Sequence, residues 1–172
     1  MGLLMMSGPI IARADDDSLE FAVKAAFLTK FVPFVDWPGG AFFAPDGSVH
    51  ICVAGRDPFG DLLNRVADRQ VVAGHSIVVQ RLPAVTRDSG CQILFAVGSR
   101  EQSVADMLAV VRGTPVLTMT DDSPDAQSRG IINFVIRDNR VRFEIDDNAA
   151  AQNGLTISSK LLSLAVRIVG RG

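Results

Sequence analysis

Four short runs of β-forming residues, separated by segments with helix signals, constrain this chain more than any other feature. They lie at 49–54, 76–82, 92–97 and 115–119, and each is rich in Val, Ile, Leu or Phe. After the first run, Asp57 and Pro58 predict a helix start, an acceptor at the cap and a proline where a missing N–H does no harm. That helix carries Leu62, Leu63, Val66 and Ala67. After the third run, Ser99 with Gln102 three residues on reads as a capping box, and Gly113 stops the helix that follows. Strands alternating with helices predict βαβ units, hence an α/β fold with a largely parallel sheet flanked by helices.

The pattern changes beyond residue 130. Runs at 131–136 and 140–145 flank Arg137-Asp138-Asn139, which predicts an antiparallel β-hairpin. In its second strand Val141, Phe143 and Ile145 alternate with Arg140, Arg142 and Glu144, so one face is wet. Residues 146–152 predict a short helix. Ser158 then caps a terminal helix whose stripe is Leu161, Leu164, Ala165 and Ile168. At the other end Phe21, Ala25, Leu28, Phe31 or Val32, and Val35 recur at helical spacing and predict a helix over 19–35, with Pro33 kinking or ending it. A chain of 172 residues suits one domain, here 19–170.

Residues 1–14 read differently. Ten residues from Gly2 to Ile11 contain no charge, Ala12-Arg13-Ala14 follows, and then come Asp15, Asp16 and Asp17. Small residues at both positions of a cleavage motif predict an export leader over 1–14, cut after Ala14. No Lys or Arg precedes the apolar run, which fits a leader truncated at its start, and the run is too short to span a bilayer. The balance of 17 Lys and Arg against 19 Asp and Glu, with both signs mixed, gives no basic stripe for nucleic acid.

Catalytic and cofactor motifs fail on inspection. Gly55 and Gly60 have the spacing of a phosphate-binding loop, but Asp61 and Leu62 stand where Lys and a hydroxyl residue are needed. No strand is followed by Gly-x-Gly-x-x-Gly. The third strand ends without a carboxylate, so receiver-type phosphoryl chemistry has no acidic pocket. Ser158 next to Ser159-Lys160 is better used as a cap than as a nucleophile. His50 and His75 have no ligand partners at metal spacing. No catalytic residue, cofactor or metal is expected. Cys52 and Cys91 remain open on pattern alone, either a bridge or two buried small hydrophobes, since in-register parallel neighbours are poorly placed to bond.

The chain resembles the YfiR family of small periplasmic proteins. The marks are Phe34-Val35-Asp36-Trp37-Pro38, the stretch from Ile51 to Gly60, and Gly90-Cys91-Gln92-Ile93-Leu94-Phe95. Further marks are Gly130-Ile131-Ile132-Asn133-Phe134-Val135, Val141-Arg142-Phe143-Glu144-Ile145, and the run from Gly154 to Leu162. The resemblance implies a periplasmic homodimer that represses a membrane-bound diguanylate cyclase by binding its periplasmic sensor domain, lowering cyclic di-GMP and biofilm formation. It also implies a disulfide between Cys52 and Cys91. The second pair known in the hairpin region of that family has no counterpart, because Asn133 and Phe134 stand there. The expected partner surface follows the hairpin and includes Phe134, Glu144 and Ala150, although a core position suits Phe134 equally. The alternative is a domain that binds a small ligand at its strand tips for transport or sensing. A concave pocket near the hairpin would favour the ligand, an exposed apolar patch the protein partner.

Overall fold

The computed structural model describes residues 11–39 and 46–170. The expected leader therefore lies mostly outside the described residues, as does most of the loop expected before residue 48. Helix α1 spans Ile11–Lys30. It ends five residues before the predicted limit, because Pro33 cannot donate to the helix ladder and its ring collides with the carbonyl four residues back. The chain makes a 3-10 turn over Val32–Phe34 and then a two-residue strand, β1, Val35–Asp36. The predicted strands follow as β2, Val49–Gly55, β4, His75–Leu82, β5, Ile93–Gly98, and β6, Leu117–Asp121. A short β3, Val71–Val72, precedes β4.

Both expected caps on the early helices are displaced by one turn. Helix α2 runs over Asp61–Asp68 with Gly60 as its cap, while the Asp57 carboxylate accepts from the Phe59 N–H and from Arg81 Nε. Helix α3 runs over Val104–Val111, and Ser103, not Ser99, accepts from the Asp106 N–H at its start. The Ser99 hydroxyl accepts from the N–H groups of Glu101 and Gln102 and donates to the Pro83 carbonyl. Gln102 reaches sideways to both backbone groups of Val85. These polar residues tie the strand-to-helix loops to the segment between β4 and β5, a tertiary use that a local capping rule cannot anticipate.

The hairpin is β7, Ile132–Arg137, paired with β8, Arg140–Asp146, in the expected antiparallel sense. Arg137 faces Arg140, so the turn is the two residues Asp138 and Asn139, both left-handed (φ 51° and 57°). Asp and Asn tolerate that region, and such a turn matches the twist of the flanking strands. Asp146 caps α4, Asp147–Gln152, and a two-residue β9, Thr156–Ile157, pairs antiparallel with β1. Ser158 caps α5 as predicted, but that helix ends at Leu162. The predicted stripe through Ile168 is broken there. Val166 instead donates its N–H to the Phe143 carbonyl, and Arg167–Val169 forms β10, parallel to β8. Val166, Ile168 and Val169 are β-branched and suit a strand, and the free side of β8 supplies the ladder that decides the matter.

The main sheet has the order β10-β8-β7-β6-β5-β2-β4-β3, parallel through its centre. From β2 the chain winds outward to β4 and then crosses back to β5 on the other side of β2. Right-handed crossovers in opposite directions place their helices on opposite faces. The larger core accordingly joins α1, α2, α4 and α5 to one face through Leu28, Phe31, Ile51, Phe95, Phe134 and Ile145. The smaller core lies under α3 on the other face and holds Cys52, Leu94, Met107 and Val111. The molecule is a single α/β domain.

Candidate functional site

Cys52 and Cys91 are bonded, with Cα atoms 5.7 Å apart. The objection from in-register strands does not apply. Cys52 stands opposite Leu94 in the β2–β5 ladder, so Cys91 lies three residues before the in-register position. There the chain is bent back on β2 by two bonds: the Gln92 N–H donates to the His50 carbonyl, and the His50 N–H donates to Gln92 Oε1. Cys52 is fully buried and Cys91 is 8% exposed. The bridge thus ties a central strand to the start of its neighbour inside the smaller core.

The three residues expected at the partner surface are not together. Phe134 has no exposed surface; its ring sits 6.0 Å from Phe27, 6.3 Å from Phe31 and 6.4 Å from Phe95, centroid to centroid. Strand β7 is covered on both faces over its first four residues, which leaves Phe134 inside. Ala150 is equally buried, since the Asp146 cap turns that face of α4 into the core. Neither side chain offers apolar area in this conformation, which corrects that part of the expectation. Glu144 is mostly buried, its side chain 12% exposed, with Arg137 at 3.9 Å, Arg167 at 4.0 Å and the Asn133 amide donating to it at 3.5 Å.

Arg140 and Arg142 are exposed on the expected wet face with Glu144, as are Arg137 and Arg167. The hairpin end and the terminal strand also expose apolar side chains that the sequence did not single out as surface: Ile136, Leu164, Val166, Ile168 and Val169. A strand rather than a helix at 167–169 is what exposes the last of these, so a helical reading could not find them. A cleft of about 370 Å³ runs between the first half of α1 and the hairpin, with Leu19 and Val23 on one wall and Ile136 and Val141 on the other. A concave cleft and exposed apolar side chains thus both occur at this end of the molecule.

Helix α1 is fastened beside that cleft by a buried cation. Lys24 is 1% exposed, and its Nζ donates to both carboxylate oxygens of Asp121, at 2.7 and 2.8 Å, and to Glu20 one turn earlier. Burial pushes the Asp121 carboxyl above the ordinary carboxylate range, against the pull of the Lys24 ammonium. The signal in the sequence was a Lys among apolar neighbours with a Glu four residues before it. The two histidines fasten the segment before β2. His50 Nε2 lies 2.8 Å from Ser48 Oγ and 3.2 Å from Asp46, and His75 Nδ1 contacts the Gly47 carbonyl. The Ser48 hydroxyl and backbone N–H, with His50 behind them, hold the Asp46 carboxyl down at about 2. Among the described residues no group of three or more His, Cys, Asp or Glu is placed to hold a metal, and no helix is long and apolar enough to cross a membrane.

The profile of the YfiR/HmsC-like family matches residues 21–166. The chain belongs to that family. The match begins inside α1 and ends at the residue before β10, so it takes in both cores, the disulfide and the hairpin. No curated protein matches the chain. In this YfiR/HmsC-like chain both cysteines are used in one bridge, which leaves no thiol for a second pair.

Proposed function

We propose that this chain is a non-catalytic periplasmic regulator that binds the periplasmic sensor domain of a membrane diguanylate cyclase and holds the enzyme off, lowering cyclic di-GMP and biofilm formation. Membership of the YfiR/HmsC-like family over most of the chain is the observation that carries this reading. A buried bridge between the two cysteines supports it, because such bonds form and persist in oxidising compartments. The leader proposed at 1–14 would deliver the chain there, as a homodimer. The partner surface is the hairpin end, where Glu144 lies within about 4 Å of the exposed Arg137 and Arg167, near exposed apolar side chains. Phe134 and Ala150 act from beneath that surface by packing. Charges at a rim of this kind fix register and suppress wrong partners more than they add affinity.

Deleting the gene in a strain that carries a candidate cyclase is expected to raise cyclic di-GMP, and the wild-type chain supplied in trans to restore it. A chain with Glu144→Lys, which places a third cation beside Arg137 and Arg167, is expected to accumulate normally and fail to restore repression. Unchanged cyclic di-GMP after deletion, together with failure of the purified chain to bind the sensor domain, would refute the proposal.

A further inference from the structure

The sheet reverses its winding between β2 and β5, and open α/β sheets take ligands outside the carboxyl ends of the strands at such a point. Here the outgoing chains diverge, β2 to α2 on one face and β5 to α3 on the other, and a cleft of about 730 Å³ opens between them. That volume lies in the range of small-molecule sites, roughly 300–1,000 Å³.

The floor of the cleft is bare backbone. Gly55 and Gly98 end the two strands with φ of +95° and +86°, and a Cβ on Gly55 would stand 2.1 Å from the Gly98 carbonyl oxygen. The Arg56 N–H donates to that same carbonyl, which fixes the start of the Arg56 side chain at the rim. Arg100, two residues past the end of β5, lines the same cleft. Among the described residues neither guanidinium has a hydrogen-bond or ion-pair partner. Some arginines are engaged elsewhere, Arg81 by Asp57, Gly60 and Asn64 and Arg129 by Ser123 and Pro124; Arg56 and Arg100 are set apart by lining one cleft at the tips of adjacent strands. Two nearby carboxylates are also turned to other groups, Asp57 to Arg81 and Asp106 to Ser103. The lining hydroxyls of Ser99 and Ser103 are already bonded within the protein, so the two guanidiniums supply the polar recognition. Val97, Val104 and Pro83 supply an apolar wall beside them.

We propose that this cleft binds a phosphorylated small molecule of mononucleotide size, its phosphate held between Arg56 and Arg100 and its organic part against Val97, Val104 and Pro83. A planar fork of donors matches a phosphate bidentately, and two forks lining one cleft match one dianion. The inference stands apart from the regulatory reading, since it concerns a different pair of strands and needs no cyclase.

The test is an NMR titration of the full 15N-labelled chain with adenosine 5′-monophosphate, inorganic phosphate and adenosine. The amides of Gly55, Gly98 and Ser99 are expected to move saturably with the monophosphate, more weakly with phosphate, and not with adenosine. Arg56→Gln and Arg100→Gln, both exposed substitutions, are each expected to weaken binding about tenfold, the scale of one charge-assisted contact. Arg69→Gln, on the exposed end of α2, leaves it unchanged. No saturable shift up to about 10 mM, weaker than any useful affinity, would overturn the proposal. So would shifts unaffected by the Arg56 and Arg100 variants, which mark diffuse attraction to a basic surface, or adenosine binding as well as its monophosphate. Phosphate binding as tightly as the monophosphate would refute the apolar half of the site.

Discussion

Removing the bridge by the paired substitution Cys52→Ala and Cys91→Ala should lower stability by an amount the structure sets. The bond links residues 39 apart. The chain-entropy relation for a loop of that size gives about 13 cal/mol/K, or roughly 4 kcal/mol at 25 °C. Both sulfurs also lie in the smaller core beside Leu94 and Met107, and alanine there leaves small voids worth about 1 kcal/mol more. For a domain of this size each kcal/mol moves the melting temperature by about 2–4 °C, so a fall of roughly 10–20 °C is expected. Thermal melts followed by circular dichroism compare the oxidised chain, the reduced chain and the variant, with thiols counted under denaturing conditions. Burial adds a kinetic expectation. Attack on the bond requires local opening of the segment over Cys91, so mild reductant should leave the native bond intact and cleave it rapidly once denaturant is present. A shift below about 3 °C would refute the cross-link as a main source of stability. Rapid reduction of the native chain would refute its burial and make the bond a sensor.

Lys24→Met removes the cation that Asp121 and Glu20 share, leaving two carboxylates facing each other. Breaking a buried pair costs about 3–5 kcal/mol, discounted here to about 2–3 because both partners keep some solvent, and urea denaturation at pH 7 measures it. Asp121 already holds its proton to a higher pH than an unfolded Asp, and without Lys24 it does so more strongly. The variant's deficit should therefore shrink as pH falls through the window above 3.8 and be fully restored as pH rises; equal stability at pH 7 would refute the clamp. Gly55→Ala places a Cβ 2.1 Å from the Gly98 carbonyl at a φ of +95°, and a loss above about 3 kcal/mol is expected. Gly39→Ala, with no atom of the described residues within 4 Å of the added Cβ, should change stability by less than about 0.5 kcal/mol in the same assay.

What could be read from the sequence divides by the range of the interactions that decide it. Every predicted strand from residue 49 to 145 is present, because β-branched runs bounded by Gly, Pro and Asp are local statements. The Ser158 cap and the short helix after the hairpin are local too, and both are present. The misplaced starts of α2 and α3 share one cause: Asp57 bonds to Arg81 on β4, and Ser99 to Pro83 just beyond it, partners 24 and 16 residues away. The terminal segment went astray for the same reason. Residues 161, 164, 165 and 168 fit a helical stripe, yet β8 offers Val166 and Ile168 a ladder that no window on the sequence contains. Phe134 and Ala150 were set at a surface because the hairpin region was, whereas α1 lies over that part of the sheet and covers Phe134.

The parallel centre of the sheet has a consequence for how the two surfaces relate. Strands β2, β5 and β7 run the same way, so the tips that frame the cleft and the Asp138-Asn139 turn after β7 lie at one end of the domain. Strands β5 and β7 are separated by β6 alone, two inter-strand spacings or about 10 Å. The first half of α1 lies at this end as well, with Leu19 and Val23 against the hairpin and Phe21 packed on Phe59, three residues past Arg56. The opposite half of the β2–β5 ladder carries the bridge. A partner on the hairpin end and a phosphorylated ligand between Arg56 and Arg100 would be neighbours on one rim. One could therefore alter the fit of the other through its own charge and bulk, without any rearrangement of the bridged sheet beneath them.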